Sequence, residues 1–364
     1  MIISALRVPL CLYLLWTCSL STPSAASDKD LAAPSCDLRL EGEIAEGSLK
    51  RLQVDYAAAN KKFAAIPKKP TESVTFAPTL CLSSPGRNLQ EALRIIEWLR
   101  ETTFITTFVP QNARCLSACA LIFMFGNFNE GHGIIGPRRK LHHLGQLGFH
   151  SPHIAPLIDA KDPVLSARAY RSGIKAIGEL LEKDSDDIFF PKTLLVEALR
   201  KEPEEFMFVD TVQRAASWGI DVVGFDPPKQ LTARMLEAAC LNKARPDQFK
   251  GARGMTRWWG AGDSPTGQRE ELTASAATIM LRGGQHRAVF SKFGDEDAFV
   301  CVVDVYSKQG GDLAIDINFG ESARDKRVPK PRRVNAEYDG NSPLWYTFTG
   351  SVRLQDLPKK IEKR

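Results

Sequence analysis

Apolar and polar residues alternate through Cys-Asp-Leu-Arg-Leu-Glu-Gly-Glu-Ile, residues 36–44, the two-residue period of a half-buried strand that ends near Gly47. A second strand is predicted over 74–82, and it runs straight into Ser83-Ser84-Pro85-Gly86-Arg87-Asn88, which is turn chemistry. A helix follows: Asn88 and Glu91 form a capping-box pattern, and Leu89, Ala92, Leu93, Ile96 and Leu99 share one face at helical spacing. The β-branched and aromatic run 102–109 predicts a third strand, with a loop over 110–114. From Cys115 to Gly126 there is no charge, which predicts a buried helix stopped by the glycine. Strand, turn, helix, strand, turn, helix is the rhythm of parallel β-α-β units, so the fold class is α/β.

Residues 127–146 are polar, glycine-rich and basic, and read mostly as a loop. Residues 147–150 resemble the end of another strand, closed by Ser151-Pro152. Between 162 and 200 the pattern turns helical, with Ala167, Ile174, Ile177, Leu180 and Leu181 on one side of a first helix and Leu194, Leu195, Ala198 and Leu199 in a second. A short helix over 211–218 ends at Gly219-Ile220 and leads into Asp221-Val222-Val223-Gly224. After a linker region at 226–269, short β-rich runs at 274–281, 286–290, 298–306, 313–319 and 345–348 predict a small β-rich C-terminal domain over 270–350. The lysine- and proline-rich stretch 61–70 reads as an excursion.

With 364 residues, 43% hydrophobic and 25% charged, the chain has length for more than one domain. Arg7, the apolar run 8–20 and Ser24-Ala25-Ala26 have the layout of a secretory signal peptide, 1–26, too short for a spanning helix. That implies a periplasmic or secreted protein; lipid anchoring at Cys18 is the alternative, disfavoured by Thr17 before it. Removal of the leader leaves Cys36, Cys81, Cys115, Cys119, Cys240 and Cys301, an even set in an oxidising compartment that permits disulfides. Sequence does not select among the pairings; Cys240 with Cys301 is the favoured pair, because no other cysteine lies in the C-terminal part. The net charge of +5 is too mild to argue for nucleic acid, and the basic stretch 323–333, with two prolines and no interleaved aromatics, reads as a solvated loop.

Serine-type hydrolysis needs a sharply held hydroxyl, a base in reach, a group orienting that base, and backbone N–H donors for the oxyanion. Ser117 lies where a loop enters the apolar helix, an end that leaves N–H groups unpaired. Ala118 beside it offers one donor, the Pro85-Gly86-Arg87 turn another, and His150 at a strand end is the candidate base. Taken singly, such a serine is an N-cap and such a histidine is bonded to backbone. His132, His142, His143, His150 and His153 cluster in sequence, but no HExxH pattern accompanies them, and Cys115 and Cys119 lack a second cysteine pair, so no metal and no cofactor is assigned. Trp258-Trp259 reads as packing.

Leu82-Ser83-Ser84-Pro85-Gly86-Arg87-Asn88-Leu89, Ser117-Ala118-Cys119 leading the apolar helix, and Gly148-Phe149-His150-Ser151-Pro152 stand in the order and at the intervals found in the Clp protease proteolytic subunit. Ala215-Ala216-Ser217-Trp218-Gly219-Ile220 looks like that family's closing helix. Over 36–225 the chain thus resembles the ClpP/crotonase-like superfamily, most closely uncharacterised bacterial extracytoplasmic proteins of that fold. The resemblance implies a ClpP/crotonase-like parallel core, Ser117 as nucleophile, His150 as general base, and the N–H groups of Arg87 and Ala118 as oxyanion hole. Arg87 stands where the family has a second glycine, and a Cβ resists the positive φ a glycine takes. For the acid, the family's aspartate falls near Glu202-Pro203-Glu204-Glu205-Phe206, making Glu205 the nearest candidate, with Asp210 next and Asp184, Asp186 and Asp187 on a shifted alignment. The implied function is an extracytoplasmic serine hydrolase of peptidase type acting on a peptide or protein without cofactor. The alternatives are a non-catalytic binding or assembly module of the same fold and, less favoured outside the cell, an acyl-thioester enzyme. A homo-oligomer is implied by resemblance alone.

Overall fold

The computed structural model describes residues 33–65, 76–102, 104–131, 134–151, 163–183, 190–202, 205–243, 275–280, 286–293, 299–307, 313–321 and 342–359. The expected leader 1–26, residues 66–70 of the stretch read as an excursion, the basic stretch 323–333, Trp258-Trp259, His132, His153, Asp184, Asp186 and Asp187 lie outside these residues, while 61–64 belong to a helix.

The alternating N-terminal run forms β1 (Leu38–Glu41), whose Leu38 and Leu40 face the core. The helix α1 (Ser48–Ala64) leads to β2 (Thr79–Ser83), and α2 (Leu89–Thr102) begins where the capping pattern put it. There Asn88 Oδ1 accepts from Glu91 N–H at 3.0 Å, but the Glu91 carboxylate does not return the bond. It accepts from Leu49 N–H at 2.9 Å instead, so one buried side chain ties the first turn of α1 to α2.

Next come β3 (Thr106–Val109), β4 (Arg114–Leu116), α3 (Ala118–Met124), the hairpin β5 (Asn127–Gly131) and β6 (Ile134–Pro137), and then β7 (Arg139–His142) and β8 (Gln146–Phe149). Two expectations change here. Cys115 and Leu116 are strand rather than the start of the helix, and 127–146 holds strands rather than a loop. The helices α4 (Pro163–Lys183) and α5 (Lys192–Leu199) follow, then β9 (Met207–Phe208), α6 (Val212–Ser217) and β10 (Asp221–Val223). On α4 and α5, Ala176, Leu180, Leu194 and Ala198 are buried, whereas Ile174, Leu181 and Leu199, expected on the inner faces, are exposed.

A five-stranded sheet in the order β1-β2-β3-β7-β10 is parallel throughout. A second, three-stranded sheet runs β4-β8-β9, with β4 and β8 parallel and β9 antiparallel. One face of the large sheet packs on α3, which α2 covers in turn, so the mixed α/β class with a parallel central sheet is as the rhythm of elements required. Arg139 is buried on that face; its guanidinium donates to Gly219 O, Trp218 O and Met124 O at 2.7–3.0 Å, serving the C-terminal carbonyls of α6 and α3 together.

The stretch read as a linker carries α7 (Ala233–Lys243). Beyond it, β11 (Ser275–Met280), β12 (His286–Phe293), β13 (Phe299–Ser307) and β14 (Leu313–Glu321) make an antiparallel sheet in sequential order, the small C-terminal β unit. Residues 344–347 are a 3-10 turn where a strand was expected, held by Asn242 Nδ2 donating to Tyr346 O and Phe348 O at 2.8 Å. Disulfides join Cys36 to Cys81, Cys115 to Cys119 and Cys240 to Cys301, the last being the favoured pair. No helix among the described residues is long and apolar enough to cross a membrane.

Candidate active site

Three parallel strand ends build the site. The extension of β2 bridges to β4 (Ser84 N–H to Arg114 O at 2.7 Å, Leu116 N–H to Ser84 O at 3.0 Å), and β4 pairs with β8 in the register Leu116–Gly148. Past its last residue, each strand therefore delivers a group to the same place: Gly86-Arg87 after β2, Ser117 after β4, His150 after β8. The carboxyl ends of parallel strands are the usual location for ligand sites in α/β sheets, since the chain turns there and its next groups are unpaired by the ladder.

Ser117 N–H still donates to Gly148 O at 2.9 Å, continuing the ladder by one bond before α3 starts. The residue then takes φ 56°, ψ −125°, a conformation rare outside glycine and costing about 1–3 kcal/mol. Such a strained strand-to-helix turn lifts a serine side chain clear of the backbone. His150 Nε2 lies 2.7 Å from Ser117 Oγ, so in the Nδ1–H tautomer the hydroxyl donates to the ring. The two residues, 33 apart in sequence, are joined as the ordered motifs implied. The Phe206 ring stands edge-on to the imidazole at 4.8 Å. Gly148 makes room for that wall: a Cβ there would sit 3.0–3.2 Å from Phe208 and Phe206 and 2.9 Å from Leu116.

Arg87 adopts φ 113°, the conformation its Cβ resists. Ile44 N–H donates to Gly86 O at 2.9 Å and Asn88 N–H to Ile44 O at 3.2 Å, so Arg87 lies between the two bonds. In a parallel bridge the residue so placed turns its own N–H away from the partner strand, here toward the side of β4. Its guanidinium reaches out to an exposed pair with Glu43, worth little in water. Gly86, at φ 94°, touches the serine turn so closely that a Cβ would stand 2.7 Å from Leu116 O and 2.9 Å from both Ser117 Cβ and Ala118 N. The helix gives no acceptor to the N–H of Ala118, the first residue of α3. Arg87 and Ala118 line the same pocket as Ser117.

The carboxylates fall elsewhere. Glu205 pairs with Lys201 at 3.3 Å and is largely exposed, Phe206 taking the place against the imidazole, and Asp210 pairs with Arg214 at 2.9 Å. The structure brings neither to His150. His142 and His143 are buried away from Ser117, with His142 Nδ1 accepting from Leu144 N–H at 3.1 Å and His143 Nδ1 within 3.2 Å of Leu354 O. Burial, reinforced by His143, lowers the His142 pKa to about 4; burial likewise lowers that of His143. Among the described residues no cluster of His, Cys, Asp or Glu is arranged to hold a metal ion.

A cavity of about 690 Å³, open mouth included, adjoins the Ser–His pair. Arg87, Ser117, Ala118 and His150 line its rim; Phe149, Phe190, Leu121 and the inner faces of α4 (Ala176, Ile177, Leu180) and α5 (Leu195, Ala198) line the rest. Sequence reading missed this apolar chamber because its walls come from helices whose apolar residues look like ordinary core. No family model matches the chain, and no curated protein matches it.

Proposed function

We propose that the chain is an extracytoplasmic serine hydrolase of ClpP/crotonase-like architecture that cleaves a peptide or another acyl bond beside an apolar group. The observation that carries this reading is the 2.7 Å contact between Ser117 Oγ and His150 Nε2 at the rim of an apolar cavity. In the proposed reaction Ser117 Oγ attacks the carbonyl carbon while His150 Nε2 takes its proton. The oxyanion forms against the Arg87 and Ala118 N–H groups. The imidazolium returns the proton to the departing amine or alcohol, and water, deprotonated by the same ring, then hydrolyses the acyl-serine.

The cavity supports the substrate class: among the described residues its floor offers apolar contact and no charged group, so an aliphatic or aromatic side chain next to the scissile carbonyl gains the most. The parallel core with its second sheet supports the architecture, and the disulfides are compatible with life outside the cytoplasm.

A fluorophosphonate probe tests the reading. Native protein becomes labelled on Ser117, and Ser117→Ala or His150→Ala reduces labelling at least about a hundredfold, the scale of a lost general base. Folded native protein that stays unlabelled overturns it and favours the second reading, a non-catalytic binding module. Glu205 and Asp210 pair with Lys201 and Arg214, so neither of these two carboxylates is the group that orients His150 in the proposed reaction.

A further inference from the structure

Cys115 and Cys119 flank Ser117 symmetrically, two residues before it at the end of a strand and two after it in the first turn of a helix. Their disulfide holds the two Cα atoms 5.2 Å apart. Four residues of extended chain span up to about 13 Å, so the backbone doubles back on itself within this interval, with Ser117 at the apex. The apex residue carries the strained φ and ψ, and a strained conformation persists only where the surroundings over-determine it. Three restraints do so here: the Ser117 N–H bond to Gly148 O, the close packing of Gly86 beneath the turn, and the disulfide.

A role in global stability is the other account of this bond, and its loop length argues against it. A disulfide stabilises chiefly by restricting the unfolded chain, more for longer loops, and this one spans a sequence separation of 4 against 45 and 61 for the other two. Both cysteines are fully buried in the core.

We infer that the Cys115–Cys119 disulfide is a positioning strap for Ser117: it holds the strand-to-helix turn in the conformation that presents Oγ to His150, while the fold is held by other bonds. The inference rests on the proposed role of Ser117 and deepens it.

The test compares full-length native protein with Cys115→Ala/Cys119→Ala and, as a control, Cys240→Ala/Cys301→Ala. Two readouts are taken: the fluorophosphonate labelling rate against probe concentration, and the ¹⁵N resonance of His150 Nε2, which reports its hydrogen bond to Ser117. The strap variant is expected to keep the native circular dichroism, to lose at least tenfold in maximal labelling rate with unchanged half-saturating probe concentration, and to move the Nε2 resonance toward its position in Ser117→Ala. The control loses more in urea midpoint yet labels at the native rate. Native labelling and a native Nε2 resonance in the strap variant overturn the inference. If native protein itself does not label, the hydrolase reading fails, and the resonance alone decides the strap: coincidence with native overturns it, displacement supports it. Should the alanine pair fail to fold, Cys115→Val/Cys119→Ala refills the sulfur volume and carries the same expectation.

Discussion

Arg87 shows how a single residue departs from its type to serve a backbone. Its positive φ costs about 1–3 kcal/mol, and its side chain recovers little through an exposed ion pair with Glu43. Arg87→Gly should therefore stabilise the protein by up to about 1 kcal/mol once the extra freedom of glycine in the unfolded chain is subtracted, measured as the urea midpoint. Labelling at Ser117 should persist, because the donor is a backbone N–H. A loss of stability would mean that the Arg87 side chain holds the turn. At this scale the pairing of serine and histidine was legible from the order of the motifs, with Ser117 at the entry to an apolar helix and His150 at a strand end. Glu205 was read one residue off the contact that matters: Phe206 reaches the imidazole, and nothing in the local sequence distinguishes a neighbour that touches from one that pairs with Lys201.

Among the elements, those whose pattern agreed with their environment could be read directly: β1 by alternation, α2 by its cap and stripe, β12 to β14 by β-branched runs between turns. β7 was invisible because three of its four residues are Arg139, Lys140 and His142, and the buried Arg139 guanidinium and His142 ring look like exposed polar groups in sequence. β4 merged with α3 because no glycine or proline marks the break at Ser117. Arg139 also makes a prediction about elements rather than about itself. Arg139→Met removes the donors of three C-terminal carbonyls on α3 and α6 at once, so stability should fall by roughly 3 kcal/mol or more, seen as a lower denaturation midpoint. A change below about 1 kcal/mol would show that water replaces the guanidinium.

At the scale of the whole molecule, residues 350–358 tie distant elements together. Val212 N–H and Gln213 N–H donate to Val352 O and Gly350 O, Leu354 N–H to Asp210 O, and Asp226 N–H to Pro358 O, so the segment 350–358 caps α6 and follows β10. One hydrophobic core runs from the parallel sheet through α7 into β12, β13 and β14, which is why a boundary drawn from composition at 226–269 missed a helix. At this junction His142 and His143 are held neutral by burial, with His143 against Leu354 O. Their folded pKa values lie below the unfolded one, so the unfolded state binds more protons and stability falls as pH drops from about 6.5 toward 4. Urea titrations at pH 7, 5.5 and 4.5 should show this decline, and His142→Gln should flatten it; an equal slope in both proteins refutes the assignment. Because β4 and β8 run in parallel with Leu116 level with Gly148, the Ser–His contact exists in one alignment of the two strands only. A slip of a single residue turns the imidazole to the opposite face of the sheet. Labelling of Ser117 by the probe, as proposed, would therefore double as a gauge of strand alignment, readable in solution without a map of its atoms.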